Sequence, residues 1–142
     1  MQFDIEKSVG FLLAKAHQRL FARFRDLLAP HGITPPQFAL LAFLWKRDGL
    51  SQTELAEKTE VDRTTLSGLI DRLAKQGLVN RCPHPNDRRA CLVTLTAAGR
   101  KLEKQLAPIA MNLRQQINAE LSTAEYEQLC QLLNRLRGSC DG

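Results

Sequence analysis

Between Arg63 and Arg72 the chain carries a run of short side chains, Thr64, Thr65, Ser67 and Gly68, with an arginine at each edge. Farther along, Asp87-Arg88-Arg89 sets two guanidinium groups beside a carboxylate in a segment already broken by prolines. Such groups suit recognition rather than bond cleavage. Hydroxyls meet base edges and thymine methyls, and a guanidinium fork fits guanine or phosphate. Ser51-Gln52-Thr53 adds polar side chains at the start of an amphipathic run, where free helix amides attract phosphate. The candidate binding set is therefore Ser51, Gln52, Thr53, Arg63, Thr64, Thr65, Ser67, Gly68, Arg72, Asp87, Arg88 and Arg89. Its expected target is double-stranded DNA.

The elements that must hold these residues are mainly helical. From Ile5 to Leu28 apolar residues recur at three and four, with Asp4 as cap and Pro30 and Gly32 as stop. Thr34-Pro35-Pro36-Gln37 is a capping box for a second helix, with Phe38, Leu41, Leu44 and Trp45 as its buried stripe. Ser51-Gln52-Thr53-Glu54 opens a short helix through Lys58, with Leu55 and Ala56 inward. After a turn at Thr59, Glu60 and Val61, Asp62 caps a helix through Gln76 that Gly77 stops. Leu66, Leu69, Ile70 and Leu73 face its core side. Two strands follow, residues 78–82 and 90–95, joined by a long basic tip over 83–89. Thr96 caps a long helix bearing Leu102, Leu106, Ile109, Leu113, Ile117 and Leu121, which Pro108 is expected to bend. Ser122-Thr123-Ala124-Glu125 opens a last helix with Leu129, Leu132, Leu133 and Leu136 inside.

A short helix, a three-residue turn and a longer helix followed by a hairpin make a winged helix-turn-helix. The fold class is thus mainly α with a small β-hairpin wing. Composition agrees: 142 residues, 44% hydrophobic, suffice for a real core, and 20 basic against 15 acidic residues leave +5 for an acidic partner. There is no Gly-rich phosphate loop, no G-x-S-x-G elbow and no carboxylate pair on a pocket, so an enzyme is not expected. Cys82, His84 and Cys91 lack paired metal-ligand spacing, and no metal or cofactor is implied. No apolar stretch is long enough to span a membrane and no leader pattern opens the sequence; the expected location is cytoplasmic.

These residues resemble the MarR family of bacterial transcription regulators across nearly the whole chain. The resemblance rests on Gly32-Ile33-Thr34-Pro35-Pro36-Gln37-Phe38, Leu55-Ala56, Asp62-Arg63-Thr64-Thr65 and Asp71-Arg72-Leu73. It continues through Gly77-Leu78-Val79, Asp87-Arg88-Arg89 and Leu95-Thr96-Ala97-Ala98-Gly99-Arg100, the last two being its most specific part. It implies a homodimer that represses transcription, with a wing Arg89 that reaches the minor groove and an Asp87 that orients it. It also implies a dimerisation region built from residues 1–33 and 97–142 around a DNA-binding lobe, residues 34–96.

The helices themselves also ask for a partner. Stripes this long outreach the middle segment, and an uncovered stripe is an aggregation hazard, so a second copy is expected. Two recognition helices would then meet half-sites about 34 Å apart on a pseudo-palindromic operator. The resemblance further implies release by a small aromatic or phenolic effector. Phe11, Lys15, His17, Arg19, His31, Phe38 and Trp45 offer suitable groups, but each has an ordinary core or surface role. Two other readings stay open. Cys82 and Cys91, facing each other across the wing, would make a redox-responsive regulator, with Cys130 in the core and Cys140 in a loose tail. Alternatively, the long helices would serve a protein-interaction module that binds no DNA.

Overall fold

A computed structural model describes residues 2–138. Cys140 lies outside the described residues. Six α-helices and a three-stranded antiparallel sheet follow one another as α1 (Val9–Leu28), α2 (Pro35–Lys46), β1 (Leu50–Ser51), α3 (Gln52–Thr59), α4 (Arg63–Lys75), β2 (Val79–His84), β3 (Asp87–Leu95), α5 (Ala97–Asn118) and α6 (Thr123–Leu136). The sheet order is β1-β3-β2. This is the winged helix-turn-helix expected from the sequence, with one strand more.

Local chemistry sets the boundaries. Thr34 Oγ1 accepts from the Gln37 amide while Gln37 Oε1 accepts from the Thr34 amide, the reciprocal box that starts α2. Ser51 with Glu54 and Ser122 with Glu125 form the same box at α3 and α6. The first helix departs from expectation. Asp4 caps only a 3-10 turn, Ile5–Lys7, and Ser8, whose Oγ accepts from the Phe11 amide, starts α1. Two caps in quick succession divide what the periodicity reads as one run.

The core lies in the middle of the chain. Leu40, Leu41 and Leu44 of α2, Leu55 of α3, the Leu66, Leu69, Ile70 and Leu73 stripe of α4, and Val79, Val93 and Leu95 of the sheet are buried together with Leu28 and Leu106. Phe38 and Trp45 are only half-buried. They stack edge-on in a row with Phe24, at centroid distances of 4.9 and 5.7 Å.

The wing is tighter than its sequence suggests. Its strands extend to His84 and resume at Asp87, leaving Pro85 and Asn86 as the turn. Arg88 and Arg89 therefore stand on β3 and not in a long tip. Pro83 is tolerated because β2 is an edge strand, and the register slips between Pro83 and His84. Strand β1 pairs Leu50 with Val93 and Ser51 with Leu92, and is too short to leave a periodic signal.

The last two helices are less covered than expected. Pro108 lies inside α5, which continues from Ala97 to Asn118 around it. Helix α6 has no buried residue: Leu129, Leu132, Leu133 and Leu136 are exposed, and so is Cys130. The sequence places these residues inside, but among the described residues no element packs over that face. Val9, Leu12 and Leu13 of α1 are exposed likewise.

Helix α5 approaches the backbone just before β2 closely. A Cβ on Gly99 would stand 2.2 Å from the Leu78 carbonyl oxygen. The Gly99 carbonyl also accepts from Trp45 Nε1 at 2.9 Å. Because the obstacle is backbone, relief requires moving α5 off the sheet. Gly99→Ala is expected to lower stability by about 2–3 kcal/mol, read by urea unfolding at a fixed protomer concentration.

Candidate nucleic-acid interface

Helix α4 has two unlike faces. Its aliphatic stripe is buried in the core, while Arg63, Thr64, Thr65 and Arg72 are exposed and Ser67 and Gly68 half-exposed. A Cβ on Gly68 would meet nothing within 4 Å, so this glycine fills no packing need and leaves the face low. Asp62 starts the helix, accepting from the Thr65 amide with Oδ1 at 2.9 Å and from Thr65 Oγ1 with Oδ2 at 2.8 Å. Thr65 thus spends its hydroxyl proton on the cap and offers outward only a methyl and acceptor lone pairs.

A cleft of about 200 Å³ lies where α3, α4 and the wing meet, lined by Ser51, Gln52, Thr53, Arg63, Leu66, Arg89, Ala90 and Cys91. Three separate stretches of the candidate set, Ser51–Thr53, Arg63 and Arg89, converge there. Arg72 and Arg88 are exposed outside it. Arg63, Arg72, Arg88 and Arg89 form no ion pair with a carboxylate among the described residues. Asp87 does not hold the Arg89 guanidinium. Its Oδ1 instead accepts the Arg89 amide at 2.9 Å, fixing the backbone at the start of β3 and leaving the cationic head free.

Two positions that hold this surface together escaped the sequence reading. Arg81 of β2 donates through Nε to Gln52 Oε1 at 3.1 Å and through Nη2 to the Ser67 carbonyl and hydroxyl, both at 3.1 Å. Its Nη1 is paired with Asp71. It ties wing, α3 and α4 into one surface. Asp48 accepts from the Leu95 amide at 2.9 Å and from Arg100 Nη2 at 3.1 Å, fastening the end of β3 and the start of α5 to the end of α2. Both partnerships cross long stretches of sequence, and only the fold brings them together.

The wing cysteines do not face each other. Cys82 pairs with Leu92 and Cys91 with Pro83, so their side chains leave opposite faces of the sheet. Cys82 Sγ lies 3.6 Å from Thr94 Oγ1, and Cys91 lines the cleft on the other side. A disulfide between them would require the strand register to break.

With this geometry in view, the comparisons with known proteins are decisive. Residues 33–91 match the model of the MarR family. The transcriptional repressor NicR of Pseudomonas putida is 34% identical over 134 residues, 94% of this chain and 85% of its own. The chain belongs to the MarR family. The multiple antibiotic resistance protein MarR of Escherichia coli is 30% identical over 90% of each chain. Among solved structures, Bordetella bronchiseptica BpsR, whose DNA binding is regulated by 6-hydroxynicotinic acid, superposes with a TM-score of 0.92 at 31% identity, covering 99% of this chain and all of its own. A cysteine-to-serine mutant of E. coli MarR bound to operator DNA gives 0.84 at 30% identity, covering 90% and 92% of the two chains. This chain is thus a winged-helix DNA-binding protein of a family of transcription regulators.

Helix α4 also carries a pH signature. Hydrogen bonds from the Thr65 amide and hydroxyl hold the Asp62 carboxyl below its ordinary value of 3.8. A depressed carboxylate stabilises the fold at neutral pH, and its contribution is lost as pH falls below 3.8 and through the lower folded value. Asp62→Asn is expected to flatten this part of the acid limb while keeping the cap. Asp62→Ala should lower the melting temperature at pH 7, and the difference should shrink near pH 3. Thermal melts across that range check both outcomes.

Proposed function

We propose that this chain is a homodimeric repressor that binds a pseudo-palindromic operator and is released by a small aromatic effector. It acts by binding and not by catalysis, in the cytoplasm. One observation carries the reading: four arginines without carboxylate partners among the described residues flank a helix face of short side chains whose other face is buried. Groups so placed are solvated cations until a polyanion arrives. Thr64, Thr65, Ser67 and Gly68 face the major groove, with Arg63 and Arg72 on base edges or backbone. Ser51, Gln52 and Thr53 meet phosphates at the start of α3. Arg89, with Arg88 beside it, enters the minor groove, where a narrow groove concentrates negative potential.

The second copy covers the exposed apolar face of α1, α5 and α6. Leaving Val9, Leu12, Leu129, Leu132 and Leu136 in water would expose a patch of the kind found at protein interfaces. In this assembly residues 1–33 and 97–142 form the dimerisation region and 34–96 the DNA lobe. The effector reading is supported by BpsR, whose DNA binding is regulated by 6-hydroxynicotinic acid. The repressor reading is supported by the likeness to NicR.

Light scattering of the free protein is expected to return twice the chain mass. Titration against operator duplexes enriched from a random pool should show affinity falling steeply with salt. Arg89→Ala should keep the dimer and its melting temperature, weaken binding about tenfold or more, and reduce the salt slope by about 1. Unchanged affinity in that variant would remove the wing from the interface. A complete indifference to salt would contradict DNA binding itself.

A further inference from the structure

We propose that Arg81 is a positioning residue that sets base preference by biasing Ser67, with Gln52 beside it, toward hydrogen-bond donation to DNA. The inference rests on the DNA-binding reading of the α4 face. Its basis is donor–acceptor arithmetic. A guanidinium has five N–H donors and no acceptor, so any group bonded to it must be accepting. Arg81 Nη2 reaches Ser67 Oγ at 3.1 Å, so this hydroxyl uses a lone pair inward. Arg81 Nε reaches Gln52 Oε1 at 3.1 Å, which fixes the orientation of that amide as well.

What remains for DNA follows directly. Ser67 keeps its single O–H and one lone pair, and Gln52 keeps its NH2 and one lone pair, but the adjoining guanidinium charge repels a second donor from either oxygen. Both therefore favour donation, to guanine O6 and N7, adenine N7, thymine O4 or a phosphate oxygen. A free serine hydroxyl would donate or accept with equal ease and distinguish these atoms poorly from the N–H2 of cytosine or adenine. A serine in mid-helix often turns its proton back to a carbonyl four residues earlier, as the Thr59 hydroxyl does to Leu55 at 2.6 Å. Here the inward partner is a donor, so the proton is directed away from Arg81.

The arginine is itself held in place. Its Nη1 pairs with Asp71 and its Nη2 also donates to the Ser67 carbonyl at 3.1 Å, so it bridges one turn of α4. Only about a third of its side chain is exposed, at 31%, in contrast to the four free arginines around it. Neighbouring Thr65 has the opposite polarity, its proton spent on Asp62. The face of α4 therefore favours donation at Ser67 and offers an acceptor with a methyl at Thr65, each set by a partner at the edge of the helix.

The test is enrichment of a randomised duplex pool by wild type, Arg81→Met, Ser67→Ala, the double variant and Arg81→Lys. Wild type is expected to select an acceptor-bearing base at one position per half-site. Ser67→Ala and Arg81→Met should each relax that position about three- to tenfold, the range of one hydrogen bond. In the double variant the second change should add nothing there. Arg81→Lys, which can still donate to Ser67, should restore most of the preference. If Arg81→Met does not fold, Asp71→Ala decides, because it loosens Arg81 without touching Ser67 and should relax the same position more weakly. Unchanged preference in the folded variants, or an equal loss at all positions regardless of Ser67, would overturn the proposal while leaving DNA binding intact. Failure of wild type to enrich any sequence would overturn both.

Discussion

A helix can offer short polar residues to a groove only if its opposite side is held firmly enough to fix its height and rotation. In this chain the grip is the burial of Leu66, Leu69, Ile70 and Leu73 against α2, α3 and the sheet. Each such side chain contributes about 1.5–3 kcal/mol when removed from water, far more than any exposed polar contact on the outer face. The apolar stripe therefore decides where α4 lies. The polar contacts of Asp62 and Arg81 then orient the Thr65 and Ser67 hydroxyls.

The same division of labour connects the DNA lobe to the terminal helices. Gly99 allows α5 to approach the Leu78 carbonyl, Trp45 bonds to the Gly99 carbonyl, and Asp48 fastens the Leu95 amide and Arg100 together. The base of the wing and the start of α5 are thereby fastened together. Arg19 of α1 pairs with Glu120 just beyond α5, and Arg114 of α5 stacks on Tyr126 of α6, so the terminal helices are linked in turn. In the proposed dimer, a small change in how two copies pack along α1, α5 and α6 would be carried to the separation of the two α4 helices. Regulation of that kind needs only a difference in effector affinity between the two arrangements.

Helices were legible because their signals are local. Capping boxes at Thr34, Ser51 and Ser122 and the apolar periods behind them need no knowledge of the rest of the chain. The wing was legible in kind but not in shape, because Pro83 looks like a break until β2 is known to be an edge strand. Strand β1 has two residues and no pattern to show. The candidate interface was legible from residue type at Arg63, Ser67 and Arg89. Arg81 and Asp48 were not, because their partners come from other elements. The leucines of α6 have a clear amphipathic period, yet periodicity cannot say whether the covering surface belongs to the same chain or to a second copy.

Hydroxyl-radical footprinting of the protein on an enriched duplex addresses the central claim most directly. Two α4 helices held by one dimer should protect two patches on one face of the DNA, about one helical turn apart, with a further minor-groove patch outside each from the wing. A single protected patch, or uniform cleavage along the duplex at saturating protein, would contradict it.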